Sequence, residues 1–199
     1  MGTIDPDDGD LWSRSLAGDG DAFGVLFDRY GGRVYRHAYR LTQNKPDAED
    51  TSAAAFLELW RQRSNVTLVQ GSVLPWMLVT TTNCALNLRR ATRRYDALLK
   101  RLPRTPDAED AAATYLQSNP LDDVDVQLGR ALRALKPVDL QLITLVALEG
   151  YDVGAAATIL HLSPGTARTR LHRARQRLRE ELPDLSIARS LTLSQEGQP

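Results

Sequence analysis

Apolar residues recur at steps of three and four along most of this chain, which is the spacing of one face of a helix. Between Phe23 and Leu41 they form a single stripe, and Asp19 precedes that stripe as a capping acid. Two glycines at 31–32 interrupt the stripe and predict a kink or a break between two helices. The chain has no convincing strand pattern, so we predict an all-α fold.

Two further helices are predicted in the first half of the chain. One begins at Pro46, a favourable first-turn residue, and has acids in its first turn where the helix dipole favours negative charge. The next begins near Ser72, a natural N-cap, and ends in a basic run at Tyr95. The polar residues 61–71 between them lack periodicity and end in glycine, which predicts a loop.

The helical pattern divides into two parts. A stretch at 102–123 contains three prolines, many acids and little apolar periodicity, which predicts an acidic flexible linker. We therefore expect two small helical domains joined by this linker, with a short tail at each end of the chain. The predicted boundaries are 1–10 for a disordered acidic tail, 11–101 and 124–182 for the domains, and 183–199 for a C-terminal tail.

Residues 152–181 have the layout of a helix-turn-helix. A short helix with small residues, capped by Asp152, precedes a tight turn, and a second helix begins at Ser163. Small residues allow the two helices to cross closely, and the second helix needs a polar outer face to enter a major groove. Its predicted inner stripe consists of Ala167, Leu171, Ala174 and Leu178.

The outer face of this second helix carries the candidate DNA contacts. Its first half can reach base edges, where arginine binds guanine bidentately; these candidates are Thr166, Arg168, Thr169 and Arg170. The later arginines, among them Arg173 and Arg175, are better placed for phosphates, which fix position but carry no sequence information. The alternative interpretation, a solvated basic helix face, is disfavoured by the capped helix and turn that precede it.

Charge and composition restrict the class of protein. The net charge is zero, but basic blocks at 80–95 and 163–179 flank an acidic middle at 96–126, and local charge decides where a polyanion binds. No apolar run approaches the ~20 residues of a membrane span, so we expect no membrane insertion. A single cysteine, Cys84, and an acidic N-terminus without an apolar core fit a reducing cytoplasm.

Catalytic and metal-binding motifs are absent from the sequence. The three histidines are scattered along the chain without metal spacing or a nucleophile partner, and no phosphate-binding glycine loop follows a strand. The acids of residues 5–10 are interpreted as a flexible tail rather than a cation site. We therefore predict that the chain is not an enzyme and needs no cofactor or metal.

Motifs in both halves of the chain occur in an order shared with one protein family. The run Ser-Pro-Gly-Thr-Ala-Arg-Thr-Arg-Leu-His-Arg-Ala-Arg at 163–175, together with Glu-Gly-Tyr at 149–151, resembles the promoter-binding helix-turn-helix of extracytoplasmic-function (ECF) sigma factors. Asp-Ala-Glu-Asp at 47–50 and Phe-Leu-Glu-Leu-Trp at 56–60 resemble the polymerase-binding domain of that family. Residues 75–90 resemble its promoter-melting helix.

The resemblance implies a protein that binds core RNA polymerase, directs it to promoter DNA and is regulated by an anti-sigma factor packed between its two domains. The linker would then pass through the active-site and RNA-exit region of the polymerase. The implied polymerase contacts are Asp47, Glu49, Asp50 and Glu58. The implied minus-ten contacts are Arg61, Arg63, Asn65, Asn83, Asn87, Arg89, Arg90 and Arg93. The implied minus-thirty-five contacts are Thr166, Arg168, Thr169, Arg170, Arg173 and Arg175.

Three features depart from the family pattern. Residues 51–55 replace a bulky apolar residue and a polar pair expected at the polymerase interface, Gly154 stands where glutamate is common, and His161 stands where the turn has glycine. Beside the sigma factor that the resemblance implies, two alternatives stay open. One is a stand-alone helix-turn-helix regulator that binds duplex DNA as a dimer, and the other, motivated by these departures, is a degenerate sigma-like protein that sequesters a partner. Trp60 and Trp76 are expected in the core rather than stacked on bases.

Overall fold

Eight α-helices make up most of the described part of the chain, residues 7–99 and 120–182 of this computed structural model. Their bounds are Asp8–Leu16 (α1), Gly20–Thr42 (α2), Lys45–Arg61 (α3), Leu74–Leu99 (α4), Pro120–Ala134 (α5), Pro137–Leu142 (α6), Val153–Ile159 (α7) and Pro164–Glu181 (α8). A 3-10 turn, Arg63–Asn65, follows α3, and α6 continues into a π-helical segment, Ile143–Leu148. Within these ranges the only extended pairing is an isolated bridge, so the all-α prediction is confirmed.

Side-chain caps fix the starts of several helices. Asp19, Asp152 and Ser163 each accept hydrogen bonds of 2.8–3.2 Å from backbone amides in the first turns of α2, α7 and α8. These three caps were predicted from the sequence. Each satisfies amides that have no partner inside the helix, and such a cap contributes about 1 kcal/mol.

A helix precedes the predicted start of the N-terminal domain. Residues 8–10, assigned above to a disordered tail, form the first turn of α1, and this corrects that assignment. The carboxylate of Asp8 is buried and accepts hydrogen bonds from the Tyr30 hydroxyl and the Arg29 guanidinium of α2. Burial alone raises the pKa of Asp8, but the hydrogen bonds from Tyr30, Ser72 and Arg29 outweigh it and lower the pKa.

The second helix runs without a break through its two central glycines. The predicted kink or break at 31–32 is therefore wrong, because α2 extends over all of Gly20–Thr42. Glycine costs about 1 kcal/mol relative to alanine inside a helix. The buried stripe of α2, which packs against α1, α3, α4 and α5, outweighs that local cost.

The predicted boundary between the linker and the second domain is confirmed only in part. Helix α5 begins at Pro120, four residues before the predicted domain start. The remainder of the linker and the C-terminal tail lie outside the described residues, as do residues 1–6. Within the described ranges, no helix combines the length and the apolar character needed to cross a membrane.

The N-terminal domain (α1–α4) and the C-terminal domain (α5–α8) pack against each other. Buried apolar side chains from both belong to one hydrophobic cluster. Helix α2 packs on α5, and α4 packs on α6 and α7. The first helix of the helix-turn-helix therefore lies beside the helix predicted to melt promoters.

Candidate nucleic-acid interface

The helix-turn-helix is built on small residues and one strained turn. Ala156 and Ala157 of α7 and Ala167 of α8 are buried, which allows α7 and α8 to cross closely. The chain between them passes through His161 at φ 53°, the left-handed region that favours glycine. The predicted inner stripe of α8, which is Ala167, Leu171, Ala174 and Leu178, is fully confirmed as buried.

The outer face of α8 is basic and exposed. Thr166, Arg168, Thr169 and Arg173 are all exposed at the start and middle of the helix. This arrangement presents donors for base edges and phosphates to a groove. Thr166, Thr169 and Arg173 line a cleft together with Lys136, which lies in the turn before α6. Lys136 was not predicted, and its only signal in the sequence was its position near the start of the domain.

Two arginines of α8 are engaged within the protein, one by an ion pair and one by burial. Arg170 Nη1 donates to Asp139 Oδ1 of α6 at 3.0 Å and is only partly exposed. Arg175 is 7% exposed, and its Nε has no hydrogen-bond partner. Burial, together with the nearby charge of Arg179, lowers the pKa of Arg175. This placement corrects the prediction that Arg175 contacts phosphates.

A second candidate surface is a groove of about 840 Å³ beside α4. Four predicted minus-ten residues line it together, namely Arg61, Asn65, Asn83 and Asn87. Trp76, Val79 and Cys84 add apolar and weakly polar surface to its wall. Burial, and to a lesser degree the charge of Glu58, raises the pKa of the Cys84 thiol, which therefore stays neutral at pH 7.

The other predicted minus-ten residues lie outside this groove. Arg90 and Arg93 are exposed and form a separate basic cluster with Asn87 and Arg94 at the end of α4. Arg89 turns towards α5, where its Nη1 donates to the carbonyl oxygen of Arg133 at 3.0 Å. Burial of the Arg89 side chain, and after it the charge of Arg93, lower the pKa of Arg89. The eight predicted minus-ten residues therefore do not form one site but lie on several neighbouring surfaces.

Arg63 packs on an aromatic ring instead of facing the groove. Its guanidinium carbon lies 4.3 Å from the ring centre of Trp60, and its Nη1 donates to the Trp60 carbonyl oxygen at 2.7 Å. Trp60 also packs edge-on against Phe23 at 5.0 Å, and Trp76 packs against the hydrophobic core. Both tryptophans are only partly buried, and Trp76 also lines the groove, so the core placement predicted for them holds only in part.

Comparison with known proteins decides the family. The profile of Sigma-70 region 2 matches residues 26–95, and that of Sigma-70 region 4 matches residues 125–178. The RNA polymerase sigma factor CarQ of Myxococcus xanthus is 34% identical over 87% of this chain and 97% of its own length. The ECF RNA polymerase sigma factor SigE of Mycolicibacterium smegmatis is 34% identical over 79% of this chain and 60% of its own length. This chain belongs to the ECF RNA polymerase sigma factors.

Solved structures agree on the fold of this sigma factor. CnrH, in complex with the cytosolic domain of CnrY, aligns with a TM-score of 0.63 at 20% identity, over 88% of this chain and 97% of that one. The sigma factor RpoE from Bartonella quintana, in complex with the anti-sigma factor NepR, aligns with a TM-score of 0.55 at 21% identity, over 81% and 97%. The two-domain helical architecture is therefore shared.

The four acids predicted to bind polymerase are distributed around α3 of the sigma factor. Glu49 and Asp50 are exposed. Asp47 is partly exposed and lines a small cleft with Arg89 and Arg133. Glu58 accepts a hydrogen bond from Gln62 and lies 3.8 Å from Arg61. The four acids therefore do not form one cluster.

The atypical positions of this sigma factor have separate structural roles. Thr51 and Ala55 are buried, so only the middle of residues 51–55 reaches the surface of α3. Gly154 is exposed, and a Cβ atom there would lie 3.0 Å from the capping carboxylate of Asp152. A glutamate at position 154 would therefore crowd the N-cap of α7.

Proposed function

We propose that this sigma factor binds core RNA polymerase through its N-terminal domain and directs transcription initiation from specific promoters, as a factor without catalytic activity of its own. The observation that carries this proposal is the exposed basic face of α8, set on a capped helix-turn-helix, together with a second basic and groove-bearing surface on α4. A stand-alone regulator needs only the first of these surfaces. Polymerase and DNA meet in the bacterial cytoplasm, so we place the activity there.

The minus-thirty-five contact is assigned to the start of α8. Helix-turn-helix proteins place the N-terminal residues of the second helix against base edges in the major groove. Arg168 and Thr169 are exposed at that position, and Thr166 lies one turn before Arg170. Arg173 lies further along and suits a phosphate.

The minus-ten contact is assigned to the groove beside α4 and to the arginines at the end of that helix. A base that leaves the stack needs an apolar wall and polar groups for its edge, and the groove supplies Trp76 with Asn65, Asn83 and Asn87. The strand backbone needs cations, and Arg90 and Arg93 supply them.

The polymerase contact is assigned to the exposed face of α3. Glu49 and Asp50 are exposed there, and Leu57 is 59% exposed. An exposed leucine flanked by acids is a surface that a basic and partly apolar protein partner can cover. Asp47 and Glu58 would support this contact from its edges.

Regulation by an anti-sigma factor is also proposed. The Bartonella quintana RpoE was solved with the anti-sigma factor NepR, and CnrH was solved with the cytosolic domain of CnrY; this chain shares their fold. Affinity purification of the full chain from its native host, followed by mass spectrometry, tests this proposal. Recovery of a stoichiometric protein other than polymerase subunits supports it, whereas recovery of polymerase alone contradicts it.

The decisive test is reconstituted transcription. Purified protein and core RNA polymerase are added to sheared DNA from the native host, and transcripts are sequenced. We expect discrete start sites that require the protein and disappear when Arg168→Ala is combined with Thr169→Ala. Arg130→Ala, which alters an exposed arginine of α5 that is assigned to neither surface, serves as the matched control and should retain them.

Two other outcomes would contradict the proposal. Tight binding to core without any transcript would indicate a protein that sequesters polymerase. Failure to bind core, combined with specific binding to free duplex DNA, would indicate a stand-alone regulator.

A further inference from the structure

One side of α2 has no role in the contacts assigned above. Gly32, Arg36 and Tyr39 are exposed on it, and they follow one another at steps of four and three, so helix geometry places them on one side. The buried stripe of α2 lies on the opposite side. We call this exposed side, with Tyr35 and Arg40 at its edges, the outer face of α2.

Two tyrosine rings are stacked on the outer face of α2. The ring centres of Tyr35 and Tyr39 lie 6.3 Å apart, and the ring planes differ by 21°. Tyr39 is 36% exposed and Tyr35 is half-buried, so the pair presents flat aromatic surface to solvent. Bases of an unpaired nucleic-acid strand stack on accessible rings of this kind, because every base has a π-face. In a duplex these faces are already covered by the neighbouring base pairs.

The cations beside these rings have no carboxylate partner. Arg36 is exposed and Arg40 is half-buried, and neither guanidinium forms an ion pair with any residue in the described part of the chain. The other two arginines of α2 differ, because Arg29 pairs with a carboxylate of α1 and Arg33 with one of the C-terminal domain. A guanidinium on a rigid helix without such a partner is available to a phosphate, which it binds through charge-assisted hydrogen bonds.

The outer face of α2 is basic along its whole length. From Gly32 to Lys45 the sequence contains three arginines and one lysine but no acid. Lys45 is exposed and continues the positive charge past the end of α2. The nearest acid towards the start of the helix is Asp28, one turn before Gly32. A surface with cations and aromatic rings but without acids complements a polyanion rather than a protein surface of mixed charge.

Gly32 leaves the backbone uncovered beside Arg36. A Cβ atom at position 32 would meet only the flexible end of Arg36, whose Nη1 would lie 3.5 Å away, so internal packing does not require glycine there. Glycine nevertheless lowers the stability of a helix relative to alanine. The bare backbone allows a strand to approach α2 closely at this point, where Arg36 can reach a phosphate.

We propose that the outer face of α2 binds an unpaired DNA strand, as a third nucleic-acid contact beside the groove and α8. Tyr39 stacks on a base, and Arg36 and Arg40 neutralise the flanking phosphates. The face runs from position 32 to position 43, which is about 16 Å along the helix and accommodates about five nucleotides at a spacing of ~3.4 Å.

The end of α2 also meets the basic end of α4. Leu41 and Thr42 line a small cleft together with Arg89 and Thr92. A strand held by the arginines at the end of α4 can therefore continue onto the outer face of α2. The promoter as the source of this strand rests on the proposed function, whereas the class of ligand rests on the rings and the charges alone.

Photochemical cross-linking tests where the strand lies. The full chain is irradiated with a single DNA strand of about 15 nucleotides of mixed sequence, in which bromodeoxyuridine replaces thymidine. The digested complex is then mapped by mass spectrometry. We expect adducts on Tyr35 or Tyr39 in addition to those on the groove and α8. Adducts confined to the groove and α8 would overturn the proposal.

The dependence of affinity on salt tests the two arginines. Binding of the same strand, labelled with fluorescein and without bromine, is measured by anisotropy at several salt concentrations. Each lost phosphate contact lowers the slope of log K against log salt by about 0.7, so Arg36→Gln combined with Arg40→Gln should lower it by about 1.4. Arg36→Lys combined with Arg40→Lys keeps both charges and should keep the slope.

Arg14→Gln is the charge-matched control for this measurement. Arg14 pairs with Asp19, the N-cap of α2, which lies about 25 Å along the helix axis from Arg36. We expect the slope of this variant to equal that of the parent. An equal fall in slope for Arg14→Gln, or no fall for the double glutamine variant, would contradict the proposed phosphate contacts.

Replacement of Tyr39 tests the stacking. Tyr39→Ala should weaken binding of the single strand about tenfold, the effect of one lost stacked base, and should leave binding of the corresponding duplex unchanged. Tyr39→Phe keeps the ring and should bind as the parent does. Circular dichroism checks that both variants keep their helices, which alanine itself favours.

Two results of the Tyr39 experiment would reject an unpaired strand as the ligand. One is an equal loss of affinity for the single strand and the duplex, and the other is an unchanged affinity for both. None of these measurements contains polymerase, so failure of this inference is distinguishable from failure of the proposed function.

Discussion

Arg170 of α8 donates to Asp139 of α6 over 3.0 Å, whereas Arg168, two residues earlier, is exposed. The two arginines therefore have different roles although the sequence presents them as equivalent. Arg170 anchors the recognition helix to the helix that packs beneath it, because Asp139 is itself buried. Arg168 faces solvent and is therefore available to a binding partner such as DNA.

Replacement of these arginines separates DNA recognition from stability. Arg168→Ala should weaken promoter binding by about 1–3 kcal/mol, the discrimination of one bidentate base contact, and leave unfolding unchanged. Arg170→Ala should also lower the free energy of unfolding by about 1 kcal/mol, because it leaves a buried carboxylate without its partner. Urea unfolding and fluorescence anisotropy on a promoter found in the transcription assay measure the two effects. Equal unfolding midpoints for both variants would contradict the anchoring role.

The turn of the helix-turn-helix carries strain at His161. A residue other than glycine at φ 53° costs about 1–2 kcal/mol, partly offset by the lower chain entropy of histidine when unfolded. His161→Gly should therefore raise the free energy of unfolding by about 0.5 kcal/mol. Gly150→Ala, at φ 78°, should lower it by about 1 kcal/mol and is the opposite control. Chemical denaturation of both variants checks these signs.

The Tyr30 hydroxyl connects α1 to the start of α4. It donates to Asp8 and lies 2.9 Å from the Ser72 hydroxyl, and burial, reinforced by Asp8, raises the pKa of Tyr30 to about 12. Tyr30→Phe removes a hydrogen bond to a buried carboxylate, so we expect a loss of about 1–3 kcal/mol in the free energy of unfolding. Tyr35→Phe, on the same helix but outside this network, should change it little. A smaller loss for Tyr30→Phe than for Tyr35→Phe would rule out the connection.

His37 makes stability depend on pH. It is completely buried, its Nε2 lies 2.8 Å from Thr82 Oγ1, and burial with the charge of Arg40 lowers its pKa to about 3. The unfolded chain takes up a proton near pH 6.5 but the folded chain does not, so stability falls as pH drops below that value. Between pH 6.5 and 4.5 the loss should be about 2–3 kcal/mol.

His37→Gln removes this titration and keeps a polar group near Thr82. Its stability should be lower at pH 7 but should change less than that of the parent between pH 6.5 and 4.5. Asp8 loses its own contribution only at lower pH, as its carboxylate is protonated through its lowered pKa, and does not interfere in this window. Parallel pH slopes for variant and parent would exclude His37 as the cause.

The elements that local patterns specify were predictable from the sequence. Helix α8 follows from Ser163 and its apolar stripe, and the structure confirms both the cap and the buried stripe. The failed break at 31–32 has a different origin, since glycine lowers helix propensity only locally and burial on several sides of α2 outweighs it. The helix α1 was missed because it is short and its first turn is acidic, a pattern shared with a solvated tail.

The relations between distant residues were not predictable. Arg175 follows Leu171 by four residues and precedes Leu178 by three, so helix geometry alone would have placed it on the inner face. The many arginines around it drew attention away from this helical spacing in the sequence. Nothing local to Gly129 indicates that Arg40 lies against it, because that contact depends on how two domains meet.

The buried carboxylate of Asp8 also determines where this protein can be shortened. Expression of an N-terminal fragment that starts at Leu11, the boundary suggested by the apolar pattern, would remove the acceptor of Tyr30 and the first turn of α1. Leu11 and Trp12 would then begin a helix without its Asp7 cap. A fusion tag joined directly at residue 8 would keep Asp8 but remove the Asp7 cap. The smallest intact N-terminal unit therefore begins no later than Asp7.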